Sequence, residues 1–98
     1  MHIISKRPLR KFWEKHPDAR QPLEDWWKIT DYAEWNNLAE TRADFPHTDP
    51  VGSCTIFNIG GNKYRLITKI NYRSKIVYIR AVLMHSEYDR EGWKDDCY

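Results

Sequence analysis

The hydrophobic period changes once along this chain, and the change limits the folds open to it. Up to about residue 45 the apolar residues recur every three or four positions; from Cys54 they alternate. Leu9, Phe12, Trp13 and His16 share one side of a first helix. Ser5 can cap it, Pro8 fits its first turn because a missing N–H costs little there, and Pro17 stops it. A second helix, starting between Asp18 and Gln21, gathers Leu23, Trp26, Trp27 and Thr30 on one side, so these tryptophans are expected in the core. Asn36-Asn37 breaks the pattern, and a short helical turn from Leu38 to Ala43 leads to Phe45-Pro46. Cys54 to Ile59 then reads as a strand and Gly60-Gly61-Asn62 as a hairpin turn, since glycine takes positive φ without steric cost. Lys63 to Ile70 returns, Asn71 to Ser74 turns again, and Lys75 to Met84 is a third strand expected at the sheet centre, apolar on both faces apart from Arg80. Met1 to Ser5 suits a short opening strand, and His85 to Asp89 a helical turn after the last one. Helices followed by a three-stranded meander predict an α+β fold with the helices packed on one sheet face.

A chain of 98 residues makes one domain, residues 1–98, because a second core would lack the residues to bury itself. No apolar run approaches the ~20 residues of a membrane helix. Met1-His2-Ile3-Ile4-Ser5 is followed at once by charge, unlike a signal peptide, so a cytoplasmic protein without a membrane partner is expected. Cys54 and Cys97 lie far apart with no CxxC pattern, which predicts two free thiols in a reducing compartment. The histidines His2, His16, His47 and His85 have no paired ligand spacing, and neither a metal nor a cofactor is expected.

The net charge is +2, but its distribution says more. No acidic residue lies between Asp49 and Glu87, a stretch carrying Lys63, Arg65, Lys69, Arg73, Lys75 and Arg80, whereas residues 1–50 hold eight basic and nine acidic side chains. Cations concentrated in one segment of a nearly neutral chain point to an anionic partner, against the plainer reading of a solvated sheet face. Alternation puts Lys63, Arg65, Ile67 and Lys69 on one face and Tyr64, Leu66, Thr68 and Ile70 on the other, which should meet the helices. The three cations are spaced to meet successive phosphates, and an arginine can hold one with two parallel hydrogen bonds. Arg80 could pair with Asp89 or Asp95 in the tail. His85 and Tyr88 follow the last strand three residues apart, on one face of the helical turn; a histidine can move a proton at neutral pH and a tyrosine can hydrogen-bond a phosphate oxygen.

The stretches Phe57-Asn58-Ile59-Gly60-Gly61-Asn62-Lys63-Tyr64-Arg65-Leu66-Ile67 and Tyr78-Ile79-Arg80-Ala81-Val82-Leu83-Met84-His85-Ser86-Glu87-Tyr88-Asp89 resemble the HigB-type toxins of the RelE/ParE superfamily. The opening residues and the tryptophan-bearing helices agree, so the resemblance spans essentially the whole chain. It implies a RelE-like microbial RNase fold, helices on one side of a small antiparallel sheet. It implies an mRNA interferase acting on mRNA, usually on the ribosome, and a HigA-type helix-turn-helix antitoxin. Arg65 matches the superfamily's phosphate-binding arginine, Tyr88 its C-terminal aromatic, and His85 a position of a catalytic arginine or histidine. The chain departs from RelE in lacking a lysine in Cys54-Thr55-Ile56-Phe57-Asn58, which leaves His85 as the expected base, with Lys63, Lys69 and Arg73 as RNA contacts. Two other functions share this fold: a contact inhibitor of DNA gyrase, as in the ParE branch, and an RNA-binding module that does not cut.

Overall fold

The Gly60-Gly61 hairpin lies at one end of a five-stranded sheet. The computed structural model describes all 98 residues, in the order β1 (His2–Ile4), α1 (Arg7–Lys15), α2 (Arg20–Tyr32), α3 (Leu38–Asp44), β2 (Asp49–Val51), β3 (Cys54–Ile59), β4 (Tyr64–Asn71), β5 (Ile76–Met84) and α4 (His85–Asp89). Short 3₁₀ turns at Pro17–Ala19 and Gly92–Cys97 precede α2 and close the chain. The strand order is β1-β5-β4-β3-β2, antiparallel throughout except that β1 runs parallel to β5. The fold is therefore α+β, as expected, with three corrections. β4, not β5, is the middle strand; β5 lies between β4 and β1. The sheet is mixed, because the chain passes through α1, α2, α3 and the β2–β3–β4 meander before β5 lies alongside β1 in the same direction. Asp49–Val51 adds an edge strand where alternation over three residues was too short to read, and proline is tolerated at such an edge.

Both glycines of the hairpin have positive φ, 62° at Gly60 and 70° at Gly61, as the turn requires. α1 begins with Lys6 at the capping position and no side-chain cap, so Ser5 does not serve there, whereas Asn37 caps α3 by accepting from the Glu40 backbone N–H at 2.9 Å.

The two sheet faces bury different things. Leu66, Tyr64, Phe57, Ile59 and Val77 meet Leu9, Leu23, Trp26 and Trp35 in the main core on the helix side. Thr68, fully buried with them, donates its hydroxyl to the Thr55 carbonyl at 2.8 Å. On the opposite face Cys54, Ile56 and Ile67 are covered by Tyr88, Trp93 and Cys97, so the C-terminal tail lies across the middle of that face.

The tail is also tied down covalently. Cys54 and Cys97, both buried, form a disulfide across 43 positions of sequence, in place of two free thiols. Sequence distance concealed the pairing because the tail doubles back onto the start of β3, where Ser53 N–H and Oγ–H both donate to the Cys97 carbonyl, at 2.7 and 3.0 Å. Closing a loop of this length restricts the unfolded chain, so reduction by a dithiol should lower unfolding free energy by about 2–4 kcal/mol in urea titrations. Identical curves with and without reductant would deny the bridge that role.

Candidate active site

Arg65 is a buried cation without a carboxylate partner. It sits in β4 opposite Asn58 of β3 and Leu83 of β5, 8% exposed. Its Nη1 donates to the carbonyls of Asn62 and Tyr64 at 3.0 and 3.2 Å, and Nη2 to Asn62 Oδ1 at 3.3 Å. The Tyr88 ring lies over the guanidinium, 5.1 Å from centroid to Cζ, and stacks in turn on Trp93 at 4.8 Å. Trp93 is fixed by donating Nε1–H to the Tyr88 carbonyl at 2.8 Å. Three of the five guanidinium N–H groups are used, which leaves Nε–H and one Nη2–H on the same edge. That edge is the fork that grips a phosphate with two parallel bonds.

Burial raises the Tyr88 hydroxyl above the ordinary tyrosine value; the negative charge of Asp49 adds to this and Arg65 opposes it. The hydroxyl therefore keeps its proton through neutral and mildly basic pH.

α4 starts where β5 ends, and the His85 backbone N–H still donates to Lys63 O at 3.2 Å. The His85 side chain is half exposed and its Nδ1 lies 3.0 Å from Asp89 Oδ2, one helical turn on. The carboxylate beside Nδ1 favours a proton on that nitrogen, which would leave Nε2 as the basic one. His85 forms no hydrogen bond with Tyr88 or Arg65, although all three are carried on the same end of the sheet.

The remaining cations are arranged otherwise than alternation suggests. Lys63 lies in the turn before β4, and its ammonium pairs with Asp18, which also accepts from the Tyr64 hydroxyl on the helix side. These two bonds, Lys63 first, hold the Asp18 carboxyl below its usual range. Lys69 approaches Asp96 at 3.7 Å, and Arg80 grips the same carboxylate at 2.7 and 3.0 Å, so the tail partner of Arg80 is Asp96 rather than Asp89 or Asp95. Arg73 is exposed in the β4–β5 turn, eight residues from Arg65 and at the other end of the strand. Thus Asp18 and Asp96, from outside the acid-free segment, pair with three of its six cations, Lys75 reaches the Trp35 carbonyl and Asn36 Oδ1 instead, and Arg65 is the one that is buried without a carboxylate.

Several site residues escaped the sequence reading. Asp89 carried a usable signal, since His85 and Asp89 are four apart on a helix. Asn62 looked like a turn residue only, and Trp93 gave no periodic signal in the polar tail.

The structure is thus an α+β sheet covered by helices on one side, with an unpaired buried arginine and a histidine–carboxylate pair at one end. Residues 19–91 match the HigB toxin family, the RelE-like toxic component of a toxin–antitoxin system, and the chain belongs to that family. It is similar to the mRNA interferase HigB of Escherichia coli O6:H1 (strain CFT073), with 29% identity over 93 residues, covering 92% of this chain and 90% of the relative. The mRNA interferase toxin HigB of Escherichia coli K12 and the mRNA interferase HigB of Shigella flexneri are also 29% identical, each over 91% of this chain and 88% of their own. The chain is accordingly the toxin of such a pair, and its partner is an antitoxin.

The surroundings of Tyr88 can be checked by ultraviolet titration. Tyr64 and Tyr88 should ionise last among the six tyrosines, Tyr64 because it donates to Asp18 and Tyr88 because it is buried. Tyr88→Phe should remove one step from the late part of the curve, above pH ~10. Loss of a step at the ordinary tyrosine position would contradict the packing of Tyr88 against Arg65 and Trp93.

Proposed function

We propose that this toxin is an endoribonuclease that cleaves mRNA, on the ribosome, and that Arg65, His85 and Tyr88 carry the chemistry. The observation that supports this most is the free Nε/Nη2 edge of Arg65, a desolvated positive charge that no carboxylate answers. Unlike a contact inhibitor of gyrase, a nuclease has use for the proton-transfer pair His85–Asp89 beside such a charge. The names of the E. coli and Shigella relatives agree. The partner in this reading is a HigA-type helix-turn-helix antitoxin, and the protein works in the cytoplasm as a single domain.

In the proposed reaction His85 Nε2 takes the proton of an RNA 2′-hydroxyl, and Asp89 holds the ring and steadies its positive charge. The 2′-oxygen attacks the adjacent phosphorus while Arg65 stabilises the charge gathering on the non-bridging oxygens. The bond to the 5′-oxygen breaks, and the Tyr88 hydroxyl, still protonated, donates to that departing oxygen. The products are a 2′,3′-cyclic phosphate and a 5′-hydroxyl, and the step balances without a cofactor. Because the nucleophile belongs to the substrate, RNA is cut and DNA is not. Lys63 adds a contact beside this centre, exchanging Asp18 for phosphate when RNA is bound, whereas Lys69 and Arg73 lie farther along β4 and in the turn after it, past the tail, and would meet only phosphates distant from the cut.

His85→Gln keeps a hydrogen-bonding side chain but cannot shuttle a proton, so cleavage should slow by roughly 10²–10⁴ with unchanged thermal melting. A folded His85→Gln protein cutting mRNA at the parental rate would pass the base role to another group. Asp89→Asn should give an intermediate loss, because it leaves His85 in place but removes the charge that supports the imidazolium.

A further inference from the structure

The tail decides where an RNA strand can run from Arg65. Down β4 the way is closed: Ile67, two residues on, lies beneath Trp93 and Cys97. Tyr88 covers the guanidinium from above. Across the strands, at the hairpin end, Asn58 is exposed. Asn58 is the cross-strand partner of Arg65, hence on the same face and about one strand spacing, ~4.8 Å, away. Beyond it opens a polar recess of about 450 Å³ lined by His47, Asn58, Gly61 and Asn62, adjoining a smaller one of about 120 Å³ that shares His47 and Asn58.

We propose that this recess is a nucleobase subsite, in which the base next to the scissile phosphate stacks on His47 and is read by the amides of Asn58 and Asn62. The proposal rests on the reading above that Arg65 holds that phosphate. Asn62 is oriented by Arg65 itself: its Oδ1 accepts from Nη2, so its two amide hydrogens remain for a ligand. The Asn58 amide and the His47 ring take part in no hydrogen bond within the protein and keep their full capacity. Gly61 leaves the mouth open, since a Cβ there would meet nothing within 4 Å.

His47 is on a braced loop rather than a floppy one. Thr48 donates its N–H and its hydroxyl to the Phe45 carbonyl, at 3.1 and 2.7 Å, and Arg42 Nε donates to the Thr48 carbonyl at 3.1 Å. A flat ring on a fixed loop facing a pair of amides is what recognition of a splayed, single-stranded base requires: a stacking surface and donors and acceptors for its edge. The recess also contains no lysine or arginine, so it suits an uncharged base rather than a second phosphate.

Base preference is the readout. A pool of mRNAs with randomised nucleotides, translated in a purified system, would be cut by the parent protein and by Asn58→Asp, His47→Ala and His47→Phe, and the ends sequenced. Asn58→Asp exchanges an amide donor for a second acceptor, so preference at one nucleotide beside the cut should shift by roughly tenfold toward bases presenting amino groups. His47→Ala should flatten preference at that nucleotide and His47→Phe should restore it, because a phenyl ring keeps the stacking surface. Both residues are exposed, and the Asn58 exchange preserves side-chain shape, so parental melting is expected. Unchanged preference in Asn58→Asp and His47→Ala, with cleavage intact, would overturn the subsite and leave the nuclease standing. No cleavage by the parent protein would remove the nuclease reading and this inference with it.

Discussion

The arrangement at the hairpin end depends on one buried guanidinium that the protein solvates without neutralising. A cation removed from water normally finds a carboxylate, and leaving it unpaired costs stability unless hydrogen bonds replace its hydration. Arg65 has two backbone carbonyls, one amide oxygen and an aromatic face, all of which stabilise its charge and none of which cancels it. The surrounding elements then follow. The hairpin must turn tightly enough for Asn62 to reach back to Arg65. The tail must return across the sheet to bring Tyr88 and Trp93 over it, and the bond between Cys54 and Cys97 anchors that return.

The other cations set Arg65 in relief. Lys63 and Arg80 have close carboxylate partners at exposed positions, where ion pairs contribute little and are screened by salt. They place positive charge on the surface and fix a turn and a tail. Arg65, by contrast, is shielded, so a phosphate reaching its free edge meets a charge at a lower effective dielectric than a surface lysine could offer. Desolvation and preorganisation occur during folding, before any substrate arrives.

Much of this was legible in the sequence, and what was not has a common cause. The alternation from Cys54 to Ile59, the glycine turn, the apolar partition of Tyr64, Leu66 and Ile70, and the helical turn from His85 all rest on local chemistry, and local chemistry is what periodicity reports. Arg65, His85 and Tyr88 were visible as residue types at strand and helix ends. The parallel pairing of β1 with β5 could not be read from three residues, nor could β4 be placed at the centre, because β5 is apolar on both faces for a different reason: helices on one side and the tail on the other. The partnerships of Asp18 with Lys63, of Asp96 with Arg80 and of Cys54 with Cys97 join residues 45, 16 and 43 positions apart. Nothing in the spacing of such pairs distinguishes them from the many that never meet.

The central claim is that two N–H groups on one edge of Arg65 grip the phosphate under attack. Arg65→Lys keeps the positive charge and removes the fork. Its single-turnover rate of mRNA cleavage, measured on protein whose near-ultraviolet circular dichroism matches the parent, tests the claim most directly. The account predicts a fall of roughly 10²–10³, the cost of losing a donor that stabilises a transition-state oxyanion. A folded Arg65→Lys protein that cuts at the parental rate would contradict it, because charge alone would then suffice.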